Sequence, residues 1–220
     1  VVVQPDLGTS IIICIGAGSI FWIVGVNYKY FIAAFVVACA SIPIGWQYLH
    51  QYQKERVYTF FNPERDPLGN GYHIMQSKIA LGSGGFSGKG YLDGTQSHLN
   101  FLPEMHTDFI FTMYGEEFGF IGTIFLLLIY LSIIFVSINI ANKSRSNFSK
   151  FMSSGLIFLF FIHIFINIGM VMGILPVVGV PLPLISYGGS SMLATMISFG
   201  LIMNCYINRD VILAKEGFID

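Results

Sequence analysis

One acidic residue, Asp108, is a candidate for chemistry because it lies beside a long apolar stretch that carries little charge. It occurs in the string PEMHTDFIF at 103–111. The residues alone leave two interpretations open. Thr or Asp at this place could cap the first turn of a helix. An ionisable group at the edge of a membrane cavity is, in contrast, usually functional.

Two further carboxylates, Glu116 and Glu117, follow Asp108 in the sequence. In a helix, Glu116 would lie about 12 Å along the axis from Asp108, and Glu117 would point to the opposite face. The paired carboxylates of glycosidases lie roughly 5 to 9.5 Å apart, so this helix supplies no such acid–base pair by itself. We expect Glu116 and Glu117 to be structural partners of a buried Lys or Arg.

A glycine-rich stretch precedes Asp108, with eight glycines within 69–94. Its segment GSGGFSGKG, at 82–90, lacks both the first glycine of a phosphate loop and the Ser or Thr that follows the lysine. Two interpretations remain. The glycines could form tight turns that fold the segment down on the membrane, or the backbone could contact a pyrophosphate together with Lys78 and Lys89.

Polar residues also interrupt the later apolar stretches. His163 and Asn167 lie four residues apart, on one face of a helix. We expect interhelical hydrogen bonds from them, although a proton relay is an alternative. The small residues of SYGGSS, at 186–191, would permit close helix packing; the alternative is a helix start that binds a ligand through its oxygens.

These residues belong to a chain with the composition of a membrane protein. Of its 220 residues, 54% are hydrophobic and 10% are charged, whereas soluble domains carry roughly 25% charged residues. This excludes a soluble enzyme, a nucleic-acid-binding protein and a disordered chain. Cys14, Cys39 and Cys205 lie in apolar runs without a CxxC pattern, which argues against a disulfide framework or a zinc site.

Five stretches have the roughly 20 apolar residues that a membrane-spanning helix needs. They are Leu7 to Val26, Phe31 to Leu49, Phe118 to Ile140, Phe151 to Met172 and Tyr187 to Ile207. They lack the alternation of a membrane β-barrel. We therefore predict an all-α, polytopic transmembrane helical bundle with about five spans.

The predicted organisation is one membrane domain over 1–220. It has two spans within 7–49, a large glycine-rich loop at 50–107, three spans within 108–208 and a tail at 209–220. Basic residues in short loops orient such a chain. The connection at 141–150 and the tail carry Lys and Arg, so we predict that both are cytoplasmic and that the 50–107 loop is extracytoplasmic.

This orientation places three helix N-termini on the extracytoplasmic side, near Asp6, Asp108 and Tyr187. Helix N-termini attract anions and offer free N–H groups. We expect them to surround one region that favours a phosphate or a carbonyl-rich ligand.

Several strings resemble the C-terminal half of the RodA/FtsW (SEDS) family of polytopic membrane glycosyltransferases. They are QPDLGT at 4–9, DPLGNGYH at 66–73, QSKIA at 76–80, GSGG at 82–85, FLPE with HTDFI at 101–110, LPVVGVPLP at 175–183 and ISYGGS at 185–190. They follow one another along the whole chain. Tyr72-His73 and VGV at 178–180 favour RodA, the elongation member, over FtsW, the division member.

The resemblance implies a fold of about ten spans, of which this chain would be roughly the last half. It implies a multi-pass protein of the bacterial cytoplasmic membrane that polymerises lipid II into glycan strands during cell elongation. Asp108 matches the family's catalytic residue, and Asp6 would line the same cavity. A class B penicillin-binding protein transpeptidase and other rod-complex membrane proteins would be its partners.

We expect an inverting transfer in which Asp108 is the general base on the 4-hydroxyl of an acceptor GlcNAc. Undecaprenyl pyrophosphate would leave the donor MurNAc. Lys78, Lys89, Arg56 or a divalent cation such as Mg²⁺ or Mn²⁺ would stabilise its charge. The matching strings offer further substrate-binding candidates, which are Gln76, Glu104, His106, Thr107, Ser186 and Ser190.

Two other functions remain open. A lipid II flippase would share the cavity but would be expected to show internal repeats, and we see none in this half. A non-enzymatic scaffold for cell-wall synthases is the other. The chain departs from the family at Asn100, where an acidic residue is common. Because it begins without Met, we expect a missing N-terminal part. We expect no activity from this piece alone, since half of the cavity wall should belong to the missing helices.

Overall fold

The computed structural model describes residues 7–66, 69–94 and 106–210, and the regular elements in these ranges are all helices. The predicted all-α fold is confirmed. The helices are α1 (Leu7–Val24), α2 (Tyr28–Tyr48), α3 (Gln51–Phe61), a short 3-10 helix (Pro63–Arg65), α4 (Asn70–Ser83), α5 (Ile110–Lys143), α6 (Asn147–Val171) and α7 (Gly189–Ile207).

Helices α2, α5, α6 and α7 are long and apolar enough to cross a membrane, and α1 contributes a shorter apolar helix over Gly8–Val24. They agree with the five predicted stretches, and α5 begins at Ile110, close to the helix start expected near Asp108 and before the apolar stretch at Phe118. The hydropathy pattern ends at Glu116 and Glu117, but the helix continues through them. It can do so because Glu116 is paired with a lysine inside the protein.

Helix α5 is interrupted at Gly119, whose φ of 62° and ψ of −161° are not helical. The interruption divides α5 into a first segment, residues 110–118, and a second segment, residues 120–143. A break of this kind frees the carbonyls before it and the amides after it from their intrahelical partners. Inside a membrane such groups must find other partners.

The loop at 84–90 supplies those partners. Two of its amides donate to carbonyls before the break, and two of its carbonyls accept from amides after it. The four N···O pairs are Lys89–Glu116, Gly90–Glu117, Phe120–Gly85 and Ile121–Phe86, at 2.9–3.1 Å. A Cβ at Gly88 would overlap the Glu117 carbonyl, and one at Gly119 would overlap the Gly88 backbone. The glycines of this loop therefore form tight turns against a broken helix.

Helix α4 runs parallel to the first segment of α5, with three successive points of contact. The contact pairs along the two helices are His73 with Phe109, Ser77 with Thr112, and Leu81 with Gly115. The Ser77 hydroxyl also donates to the Val171 carbonyl at 2.9 Å. The 69–94 part of the glycine-rich loop is thus ordered and packed into the bundle.

The core of the described bundle lies where α5 and α6 meet the irregular segment 172–188. Its buried residues are Phe109, Phe111, Leu126, Tyr130, Ile164, Met170, Val171 and Leu182. The Tyr130 hydroxyl donates to the Pro183 carbonyl at 2.7 Å. Side chains of the helices thus bond the backbone of this segment, which non-helical backbone within a membrane protein requires.

Candidate functional site

The turn at 106–109 leads into α5, and three of its successive carbonyls accept hydrogen bonds from other parts of the fold. The donors are Tyr187 N to His106 O (2.9 Å), Ser186 Oγ to Thr107 O (2.6 Å) and Asn167 Nδ2 to Asp108 O (2.8 Å). These bonds fix the direction of each peptide plane in the turn. The backbone that carries Asp108 is therefore held from three points.

Asn167 on α6 is fully buried and supplies one of these points. Its Nδ2 group donates both to Asp108 O and to Val180 O, the latter at 2.7 Å. Because both acceptors are carbonyls, the nitrogen of the amide must face them. Asn167 thereby joins α6 to the turn before α5 and to the 172–188 segment.

Ser186 supplies a second point at the other end of that segment. Its hydroxyl is buried, donates to Thr107 O and accepts from Leu182 N at 2.7 Å. One hydroxyl thus uses its donor and an acceptor position at once. Ser186, predicted to bind substrate, has both of these contacts within the protein.

The carboxylate of Asp108 lies beside Gly179. A Cβ built on Gly179 would be 3.3 Å from Asp108 Oδ2, and Gly179 has a φ of 80°. Glycine permits both the left-handed backbone and the close approach. Phe109, and not Asp108, occupies the N-cap position of α5.

The N-terminal ends of three helices gather around the 172–188 segment. A Cβ at Gly8 in the first turn of α1 would overlap Val178. Gly179, the next residue, faces Asp108 before α5, and Tyr187 before α7 bonds His106. The predicted convergence of helix N-termini is therefore confirmed for α1, α5 and α7. Their partial positive charges favour an anion or a carbonyl oxygen nearby.

A cavity of about 620 Å³ adjoins the turn at 106–109. It lies between α5 and α7, with His106 and Ile110 on one side and Ser186, Tyr187 and Met192 on the other. Small-molecule sites have volumes of roughly 300–1,000 Å³. The cavity is large enough to receive part of a small-molecule ligand at the N-terminal ends of these helices.

Lys89, a predicted contact of the pyrophosphate, forms an ion pair within the protein. Its Nζ lies 2.6 Å from Glu116 Oε1, and the Glu116 side chain has no solvent exposure. Glu116 therefore has a basic partner, as predicted, but Lys89 is partly exposed and not buried. Glu117 forms no ion pair with the described residues. Arg56 lies on α3, where its guanidinium stacks 5.9 Å from the centre of the Tyr52 ring.

Two further candidates lie on α4. Gln76 is half-buried, and Lys78 is exposed. The Lys78 side chain crosses Gly173 just after α6, where a Cβ would overlap its Cε. Lys78 therefore lies near the carbonyl end of α6, a favourable place for a cation.

The structure places the remaining predicted site residues in different surroundings. His106, Thr107, Asp108 and Ser186 are brought together by hydrogen bonds. Ser190 is exposed in the first turn of α7. Asp6 and Glu104 lie outside the described residues.

Sequence reasoning missed the role of Asn167 as a partner of Asp108. It placed Asn167 with His163 as a source of interhelical bonds. Asn167 does bond to other segments, but the Nδ1 of His163 pairs with the Leu159 carbonyl of its own helix at 2.7 Å. The available signal was an amide within an apolar span, because a buried amide must find partners.

Comparison with known proteins agrees with this architecture. A family model for the FtsW, RodA and SpoVE cell cycle proteins matches residues 1–210. The peptidoglycan glycosyltransferase MrdB of Escherichia coli strain K12 is 49% identical over 213 residues, which are 96% of this chain and 58% of that protein. The peptidoglycan glycosyltransferase RodA of Treponema pallidum is 46% identical over 161 residues, 73% of this chain and 37% of that protein.

A solved chain from a peptidoglycan synthase complex that coordinates polymerization and crosslinking superposes with a TM-score of 0.76 at 28% identity. The match covers 94% of this chain and 57% of the solved one. This chain thus spans less than two thirds of the length of the relatives that it matches. Sequence and fold agree over nearly all of it, and the chain belongs to the FtsW/RodA/SpoVE family.

Proposed function

We propose that this chain is part of a peptidoglycan glycosyltransferase that polymerises lipid II, the disaccharide-peptide on undecaprenyl pyrophosphate, during cell elongation. The observation that carries the proposal is the position of Asp108. Its backbone carbonyl is bonded by the buried Asn167, and its carboxylate lies beside Gly179, where three helix N-termini meet. Relatives named as peptidoglycan glycosyltransferases support the same activity.

In the proposed reaction, Asp108 accepts the proton of the 4-hydroxyl on an acceptor GlcNAc as that oxygen attacks the anomeric carbon of a donor MurNAc. The bond from that carbon to the pyrophosphate oxygen breaks, with inversion. The electron pair leaves with undecaprenyl pyrophosphate. Because pyrophosphate is already a good leaving group, one general base suffices and no second carboxylate at glycosidase spacing is needed.

The leaving group carries negative charge that cations or helix N-termini must stabilise. Of the predicted cations, Lys78 is exposed, while Lys89 already pairs with Glu116. We therefore propose that Lys78 and the N-terminal ends of α5 and α7 stabilise the negative charge of the leaving pyrophosphate. In the described ranges, His, Cys, Asp and Glu side chains form no group of three. The described residues therefore offer no set of three such ligands for a divalent cation, and no step is assigned to one.

We place the active face outside the cytoplasmic membrane and the C-terminus inside. The basic connection between α5 and α6 contains Lys143 and Arg145, which favour the cytoplasmic side. The turn that carries Asp108 lies at the opposite end of α5. A transpeptidase of the class B penicillin-binding proteins is the proposed partner, since the similar solved chain comes from a complex that coordinates polymerization and crosslinking.

The flippase alternative has less support. In transporters, the free backbone groups of broken helices bind the substrate. At the break in α5, two carbonyls and two amides instead bond to the loop at 84–90. We therefore retain the glycosyltransferase as the proposed function.

The test uses the purified full-length protein with lipid II and follows the glycan polymer by electrophoresis. Asp108→Asn should lower the polymerisation rate by about 10²–10⁴, the usual contribution of a general base. Asp210→Asn is the matched control, because Asp210 is an exposed carboxylate beyond α7. Polymerisation by Asp108→Asn at the rate of the control would refute the assignment.

A further inference from the structure

We infer that Lys89 and Glu116 are positioning residues whose ion pair sets the depth and rotation of the α5 segment that leads from Asp108. The inference rests on the proposed function, since it concerns the placement of the proposed base. It assigns Lys89 a role different from contact with the leaving pyrophosphate.

The first segment of α5 is short. It has nine residues, 110–118, before the helix is interrupted. Helices below about 12 residues are marginal without tertiary contacts. The second segment cannot hold it in line, because Gly119 has left helical geometry. Contacts outside α5 must therefore determine where the first segment lies.

At its N-terminal end the segment is held by the bonds to the carbonyls of the 106–108 turn. At its other end the segment is held by the loop at 84–90. Lys89 N and Gly90 N bond the last carbonyls before the break, at 3.0 and 3.1 Å. These backbone bonds depend on the loop keeping its position.

The ion pair joins the same loop to the same segment through side chains. Lys89 Nζ lies 2.6 Å from Glu116 Oε1; the Glu116 side chain is fully buried and that of Lys89 is 26% exposed. Backbone and side chain of Lys89 therefore both bind Glu116, since Lys89 N also donates to Glu116 O. Breaking a buried pair by removing one partner leaves an uncompensated charge. The pair thus opposes any sliding of the loop relative to the segment.

Distance separates this pair from the proposed chemistry. Glu116 lies about 9 Å along the first segment of α5 from Ile110, and Asp108 precedes Ile110 in the turn. The pair therefore acts on the reaction through the position of the segment. A displacement of about 1 Å at a reacting group can cost on the order of 10²-fold in rate, so a fixed position matters.

The test compares variants of the full-length protein in detergent or vesicles. Lys89→Met breaks the pair, Lys89→Arg preserves it, and Lys89→Glu with Glu116→Lys reverses it. Lys143→Met is the matched control, because Lys143 is an exposed lysine in the last turn of α5. The readouts are kcat and KM for lipid II, and hydrogen–deuterium exchange of the peptide 106–118 with 147–171 as internal reference.

Lys89→Met should lower kcat about tenfold or more while KM for lipid II stays within about twofold, because substrate contacts remain. Exchange in 106–118 should rise. Lys89→Arg should retain both properties, and the reversed pair should recover part of each. A raised KM with unchanged exchange would overturn the inference and make Lys89 a substrate contact. Wild-type values of kcat, KM and exchange in Lys89→Met would overturn it as well.

If Lys89→Met does not accumulate, the double variant Lys89→Met with Glu116→Gln carries the test, because it leaves no uncompensated carboxylate. The same rise in exchange is expected, and its absence would contradict the inference. Failure of the proposed function is seen separately, as an active Asp108→Asn variant. That result would leave the exchange measurement on 106–118 unaffected.

Discussion

The side-chain amide of Asn167 donates to the backbone carbonyl of Asp108 at 2.8 Å. The same nitrogen donates to Val180 O at 2.7 Å. Asn167 belongs to α6, so a residue from the middle of the fold holds the start of α5 and the 172–188 segment together. The proposed base is therefore placed by the backbone bonds of its turn as well as by the helix that follows it.

Asn167→Leu removes both donors and leaves two carbonyls without their partner. We expect a loss of roughly 1–3 kcal/mol in stability, the cost of leaving a buried polar group unsatisfied. Polymerisation should fall about tenfold or more in the protein that still folds, because the Asp108 backbone loses a fixed point. Thermal unfolding and polymer yield are the measurements. Asn142→Ala, at an exposed amide near the end of α5, should change neither.

Ser186→Ala removes a hydroxyl that both donates to Thr107 O and accepts from Leu182 N. We expect a stability loss of about 1–2 kcal/mol and slower polymerisation. Ser198→Ala is the control, since the Ser198 hydroxyl bonds the Ala194 carbonyl of its own helix. Equal activity of the two variants in the lipid II assay would show that the Ser186 bond is dispensable.

Gly179→Ala tests the approach of the 172–188 segment to Asp108. The new Cβ would lie 3.3 Å from Asp108 Oδ2, at a φ of 80° that disfavours alanine. We expect kcat to fall while the protein still accumulates in the membrane. Gly18→Ala is matched to it, because nothing lies within 4 Å of a Cβ there. A Gly179→Ala enzyme as active as Gly18→Ala would contradict the proposed contact.

Gly119→Ala tests the break in α5. Gly119 has a φ of 62°, and a Cβ would overlap the backbone of Gly88. We expect a stability loss of at least about 1–3 kcal/mol, since the residue is held in a strained region and the loop must move. Gly200→Ala, with nothing within 4 Å of its Cβ, should be neutral. The midpoint of thermal unfolding distinguishes the two.

The membrane-spanning helices could be predicted from the sequence because a run of roughly 20 apolar residues is typical of a helix that crosses a membrane. Helix α3 at Gln51–Phe61 lies within the region predicted as one long loop, because that segment has no apolar run long enough to predict a span. The expectation that a helix begins near Asp108 agrees with the structure, where α5 begins at Ile110. The pairing of Glu116 with Lys89 could not be predicted, because a hydropathy scale counts Glu116 as a charge facing water and contains no information about its partner.

The break at Gly119 could not be predicted for a similar reason. A single glycine within an apolar run is equally compatible with an unbroken helix. Whether the backbone leaves helical geometry at Gly119 depends on the loop at 84–90. This loop lies 29 or more residues earlier and supplies the replacement hydrogen bonds. The partners of Asn167 escaped prediction because they are backbone carbonyls, which have no signature in sequence. The contact of Gly179 with the Asp108 carboxylate escaped it because it joins residues far apart in the chain.

The parallel register of α4 against α5 has a consequence for insertions and deletions. The contacts of His73, Ser77 and Leu81 recur at four-residue steps along one face of α4. One added or deleted residue within α4 would rotate all later contacts by about 100° and shift them by about 1.5 Å. Ser77 would then miss both Thr112 and Val171, and Lys89 would be carried away from Glu116. The length of α4 is therefore under stricter constraint than the identity of its exposed residues.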